Sequence, residues 1–197
     1  MVYLLRASMV MNERIIVRSL TTTDGTLVAM NDGLLAWKPT GGRPTRTRME
    51  GLPTVLLGLR GPMGCVDAVA VGSADGNVFI LTLPRLETVA RFSLGAGSIR
   101  AITLVSEGKM RFLAGTQNGH VFLLDDETRE RSLLLFSIEG PVSSLHLEEE
   151  TVHVRSGWIH HIRTWDGTSH RINNTAESHR TRRYKRLNQS YIIPNAV

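Results

Sequence analysis

Residues 72–83, GSADGNVFILTL, and residues 114–126, AGTQNGHVFLLDD, decide the reading of this chain. Each holds a short polar turn ending in glycine, followed by a run rich in β-branched and aromatic residues. Asp75-Gly76 and Asn118-Gly119 supply positive φ at little steric cost, which a tight two-residue hairpin loop requires. The flanking runs Val69-Ala70-Val71, Val78–Leu81 and Val121–Leu124 are short and continuously apolar. That is the pattern of strands covered on both faces.

The same arrangement occurs twice more, in TLVAMNDGLLAWKP (26–39) and VHVRSGWIHHIRTWDG (152–167). The marker glycines Gly33, Gly76, Gly119 and Gly157 follow one another at 43, 43 and 38 residues. Each hairpin has room for one strand before it (Arg14–Leu20, Thr54–Leu59, Ser98–Val105, Val142–Leu147) and one after it (Arg43–Met49, Glu87–Leu94, Ser132–Ile138, Thr168–Ile172). Four-stranded units repeating every 40 to 45 residues or so are the signature of propeller blades. The hairpins resemble those of β-propellers of the broad WD40-like repeat type, with Leu124-Asp125 standing where that family has Trp-Asp. The resemblance covers residues 13–172, about four blades at 13–50, 51–94, 97–138 and 139–172. It implies an all-β fold of four repeated four-stranded antiparallel units. These either close as a small propeller or form a half propeller completed by another chain. Residues 1–12 are expected to add a strand or latch, with Val2–Leu5 as the pairing segment. Asp166-Gly167 reads as one further hairpin turn.

Composition sets the outer limits. The 197 residues are 42% hydrophobic and 21% charged, ordinary globular values that exclude wholesale disorder. No apolar run approaches the roughly 18 residues of a membrane-spanning helix, so no membrane partner is expected. Cys65 is the single cysteine, and the N-terminus lacks the basic and apolar regions of a secretory signal. A cytoplasmic or otherwise non-exported protein is the expectation. The net charge of +5 lies wholly in residues 168–197, where six basic residues face Glu177 alone. The rest of the chain is electrically balanced, which argues against a broad nucleic-acid footprint.

Residues 173–197 read as a basic C-terminal arm, polar up to Ser190 and ending in the short apolar anchor Tyr191, Ile192 and Ile193. Its partner-binding candidates are Arg180, Arg182, Arg183, Tyr184, Lys185 and Arg186 together with that anchor. The first expectation is docking on another protein subunit, of the same or a different chain. The second is nucleic acid held through residues 171–186, with Tyr184 stacking on a base. Arg43, Arg46 and Arg48 form a second basic group that reads as one face of a solvated outer strand.

A search for chemistry finds little. His153 and one of His160 or His161 are expected to face each other across the Gly157 hairpin. No cysteine, and no carboxylate inside that hairpin, completes a tetrahedral metal set. Glu148–Glu150 and Asp125–Glu127 fall at expected turns, and Trp37 and Trp158 read as blade packing. Phosphate-loop, G-x-S-x-G and dinucleotide-binding patterns are absent in usable context. No catalytic residue, metal or cofactor is expected. The function this favours is a non-catalytic interaction subunit, a propeller-like scaffold docking in a multiprotein complex or a virion or tail structure. Nucleic-acid binding by the arm, and ligand binding or catalysis in a propeller channel, are the alternatives.

Overall fold

The structure is a computed structural model that describes residues 14–61, 63–106, 111–125, 131–165 and 173–180, the last segment as backbone only. Sixteen strands form four antiparallel sheets, and the described residues contain no helix, hence none able to cross a membrane. The first sheet runs in order through β1 (Ile16–Thr21), β2 (Gly25–Met30), β3 (Leu34–Pro39) and β4 (Thr45–Arg48). The second holds β5 (Pro53–Arg60), β6 (Val66–Ser73), β7 (Asn77–Thr82) and β8 (Thr88–Ser93). The third holds β9 (Ile99–Ser106), β10 (Arg111–Thr116), β11 (His120–Asp125) and β12 (Arg131–Ser137). The fourth holds β13 (Ser144–Glu148), β14 (Thr151–Ser156), β15 (Ile159–Thr164) and β16 (Asn173–Arg180). This is the repeated four-stranded unit that the marker glycines announce.

The sheets stack face to face on three apolar layers. Leu27, Ala29, Leu35 and Trp37 of the first sheet meet Val69, Val71, Phe79 and Leu81 of the second. Ala70, Val78, Ile80 and Phe92 on the other side of the second sheet meet Ile99, Phe112, Ala114 and Leu124 of the third. Leu113, Val121 and Leu123 then meet Leu145, Val152, Val154 and Trp165 of the fourth. Strand side chains alternate between faces, so a sheet buried on both sides must be apolar at every position. The four central residues of β7 and of β11 are all buried, as their unbroken apolar runs require. The first strands β1, β5, β9 and β13 lie successively side by side. Hydrogen bonds link them: Arg18 Nε donates to Thr54 O (2.6 Å), and Thr54 Oγ1 to Ile99 O (2.6 Å). Strands β13 and β1 do not pack together in that way, so among the described residues the four sheets form an open, propeller-like row.

The turn glycines sit where expected, in loops of a different size. Gly33, Gly76 and Gly119 have φ of +80°, +80° and +83°. Each closes a three-residue loop, its N–H donating back to Met30, Ser73 or Thr116 O at 3.1–3.3 Å. The preceding Asp or Asn keeps negative φ, so this is a turn followed by a glycine bulge rather than the expected two-residue loop. Gly157 opens a genuine two-residue loop with φ +56°, at the position a II′ turn reserves for glycine.

The last sheet departs most from expectation. Its fourth strand is Asn173–Arg180, paired with β15, while the expected Thr168–Ile172 lies outside the described residues. The first eight residues assigned to the arm therefore complete the sheet. β16 is an edge strand. Backbone pairing alone suffices to hold such a strand, and its polar sequence carries no apolar signal.

Candidate functional site

The arm itself gives little geometry. Arg180 ends β16 opposite Ile159. Arg182, Arg183, Tyr184, Lys185, Arg186, Tyr191, Ile192 and Ile193 lie outside the described residues, as do the Val2–Leu5 latch, Asp126, Asp166-Gly167, His170 and Arg171. The features that stand out are the two end faces of the row. The inner sheets are covered on both sides. Among the described residues, the first and fourth sheets are covered on one side only.

Register and alternation define the free face of the first sheet. Thr26, Val28 and Met30 of β2 stand beside Leu34, Ala36 and Lys38 of β3, and Arg46 and Arg48 of β4 pair with Ala36 and Leu34. The aliphatic members are half-buried, and Lys38, Arg46 and Arg48 are exposed. Arg43 precedes β4 and is odd-numbered relative to Arg46, so the expected single-face trio reduces to a pair. Arg48 Nη2 and Arg14 Nε each lie 3.0 Å from Asp32 Oδ2 in the neighbouring turn. Desolvation opposes ionisation of Asp32. The Leu34 N–H and the two guanidiniums outweigh it and hold the carboxyl below the usual range.

The free face of the fourth sheet is built from histidine. His146 pairs directly with His153 across β13 and β14, and their ring centroids are 6.4 Å apart. The His153 ring stacks on His160 of β15 at 5.2 Å, with Nδ1 of His153 3.2 Å from Nε2 of His160. His179 of β16 holds the register position opposite His160. Glu148 Oε2 approaches His153 Nε2 at 3.8 Å. Arg155, two residues along the strand from His153, shares its face, and Ile162 pairs with His153. Among the described residues no three His, Cys, Asp or Glu are placed to hold a metal ion.

Sequence reasoning left the partner of His153 open between His160 and His161, and the structure selects His160. His161 points to the other face, 8% exposed, opposite Val154, with its Nε2 buried and lacking a hydrogen-bond partner among the described residues. Burial and the charge of Arg163 together outweigh Glu139 and lower the His161 pKa. Above the unfolded-state pKa both states are neutral and nothing changes. Below it the unfolded chain takes up a proton first, so stability falls as pH falls. His161→Met is expected to raise stability by about 1 kcal/mol at pH 7.5 by removing the orphaned nitrogen. Its advantage should be larger at pH 5.5. Urea midpoints at the two pH values check this, and an unchanged advantage contradicts it.

Other residues take unforeseen places. Trp37 is 2% exposed in the first apolar layer, as expected, but Trp158 is 74% exposed at the tip of the Gly157 loop and is not blade packing. Trp165 is buried, its N–H donating to Glu150 O at 2.6 Å. Glu149, at φ +52°, sits in the turn foreseen for the glutamate run. A groove of about 450 Å³ runs along Leu20–Thr23, Leu57, Gly58, Arg60, Gly64 and Val66. A second, of about 240 Å³, is lined by Thr47–Glu50, Phe79, Leu81, Thr88 and Arg91. The first has Arg60 as its only ionisable group. In the second, Arg91 and Glu50 engage each other at 2.9 Å. Neither groove pairs a nucleophile with a base.

No protein-family profile and no curated protein matches the chain. Its fold has many counterparts: 1102 chains of solved structures match, a breadth that ties the fold to no single function. The computationally designed Ika4 protein matches with a TM-score of 0.57 at 16% identity, over 73% of this chain and 86% of that one. The computationally designed Ika8 protein matches with a TM-score of 0.59 at 15% identity, over 84% of this chain and 48% of that one. The present chain thus spans about half the length of Ika8. At such identities the likeness is one of fold.

Proposed function

We propose that the chain is a non-catalytic interaction subunit, a scaffold of WD40-like repeat type that docks in a larger assembly through its end faces and its basic arm. One observation carries this reading: four sheets share three apolar layers, which leaves one face of each end sheet without a covering sheet among the described residues. An open stack of this kind resembles a repeat array whose terminal units lack caps. Such ends need either a polar surface or a partner. The half-buried aliphatic row Val28, Met30, Leu34 and Ala36 is a surface that a partner would complete. The WD40-like assignment draws on the Asp-Gly and Asn-Gly hairpins and their positive-φ glycines.

The scarcity of lysine gives a direct test. Lys38 stands on the free face of the first sheet, Lys185 in the arm, and Lys109 between β9 and β10. Amine cross-linking in the cell of origin, followed by peptide mapping, should give intermolecular links from Lys38 and Lys185 well above those from Lys109. Links confined to single molecules, or no enrichment at Lys38 and Lys185, would contradict the docking reading.

A further inference from the structure

Resting on that docking reading, we propose that the partner at the end faces is a second copy of this chain, the histidine face of the fourth sheet seating on the cationic face of the first, and that protonation of the histidines opens the junction.

The geometry favours a second copy. The free face of the fourth sheet and the free face of the first are different surfaces, so the contact between them is heterologous. Made twice between two chains, it closes a ring of eight sheets, within the usual range for propellers. The likeness to Ika8 is compatible in length, since 84% of this chain matches 48% of that one and leaves about half of it over.

Charge favours the same pairing. Lys38 and Arg46 make the first face cationic, and Arg48 beside them is paired with Asp32. On the fourth sheet, Glu148 lies against His153, Glu177 holds the register position opposite Ile162, and Arg155 is the one fixed cation on that face among the described side chains. With neutral histidines the face carries more carboxylate than cation, and the two faces attract. Such complementarity selects the partner and its register.

The same residues make the junction sensitive to acid. The 3.2 Å contact between His153 Nδ1 and His160 Nε2 needs one donor and one unprotonated acceptor, so the pair does not accept two charges and keep it. The groups facing this pair are His146 and Glu148 from β13, Arg155 from β14 itself, and the register positions of Glu177 and His179 on β16. Histidine is the side chain whose ordinary charge change falls between pH 5 and 8. Proton uptake along the row turns the face net positive, and it then meets Lys38 and Arg46 of the other copy as like charge.

The test is molar mass by sedimentation equilibrium on the full chain at pH 8 and pH 5.5, for the wild type and for Lys38→Glu/Arg46→Glu. The wild type should be twice the 21.8 kDa chain mass at pH 8 and a single chain at pH 5.5. The variant should behave in reverse, single at pH 8 and double at pH 5.5, where its acidic face meets protonated histidines. A general loss of folding at low pH cannot produce that reversal. A wild-type dimer of equal strength at both pH values overturns the histidine junction and leaves the docking reading standing. A wild-type monomer at both pH values overturns the second copy as partner, including the case where an end of the same chain covers the face. If Lys38 and Lys185 also give no intermolecular links, the docking reading falls with it.

Discussion

Phe112→Ala is expected to lower the stability of the domain by about 3–5 kcal/mol, the usual cost of emptying a buried aromatic site. Phe112 is fully buried in the layer between the second and third sheets, among Ile99, Ala114, Phe122 and Leu124. That layer joins the two halves of the row, and domains of this kind have only about 5–15 kcal/mol in total. Urea unfolding followed by tryptophan fluorescence measures the loss. Trp37 lies in the first apolar layer and Trp165 in the third, so both report on regions outside the damaged layer. A shared loss of several kcal/mol in their common transition fits sheets held by stacking. A loss below about 1 kcal/mol, the range of ordinary surface changes, would mean that the layer is not buried as described.

Gly119→Val is the second large effect, expected to cost about 2–4 kcal/mol because two penalties combine there. The backbone sits at φ +83°, a region that β-branched residues avoid. A Cβ at this position would also collide with the carbonyl oxygens of Ile138 and Gly140, the latter at 2.6 Å. Those carbonyls belong to the chain leaving β12, and Ile138 N–H donates to Gly119 O at 2.9 Å, so the collision pushes apart a hydrogen-bonded pair. Gly41→Ala separates the two penalties. Its φ is +74°, yet nothing lies within 4 Å of the added Cβ, so about 1 kcal/mol is expected. Thermal midpoints of the two variants check the account, and equal losses would show that crowding at Gly119 is absent.

The strands of the inner sheets were the most legible part of the chain. A sheet buried on both faces writes its position into an unbroken apolar run, and Val78–Leu81 and Val121–Leu124 are such runs. Loop size was not legible, because Asp-Gly and Asn-Gly suit both a two-residue turn and the glycine of a three-residue loop. The pairing of Gly72 with Val78 and of Gly115 with Val121 decides it, and that is a property of register. β16 escaped notice for a related reason. NNTAESHR has no apolar alternation, and an edge strand joins its sheet through backbone groups that every sequence has.

The candidate site was half legible. The cross-strand meeting of His153 with His160 follows from hairpin counting around Gly157. The same counting around the Glu149 turn would have added His146, two positions beyond Glu148 from the strand end. The position of Arg43 fails by a parity argument available in the sequence, since it and Arg46 are three residues apart. Trp158 needed the loop geometry: placed second in a two-residue loop, its ring projects to solvent instead of into a layer. That the histidine row lies on an uncovered face follows from where the stack of sheets ends, which no local pattern states.

In the proposed assembly, four sheets with three shared layers are half of a ring that a second copy completes. The molar mass of the full wild-type chain at pH 8, over a hundredfold range of concentration, tests it most directly. A mass of twice 21.8 kDa that persists into the micromolar range is the predicted result. A single 21.8 kDa species across the whole range would contradict it.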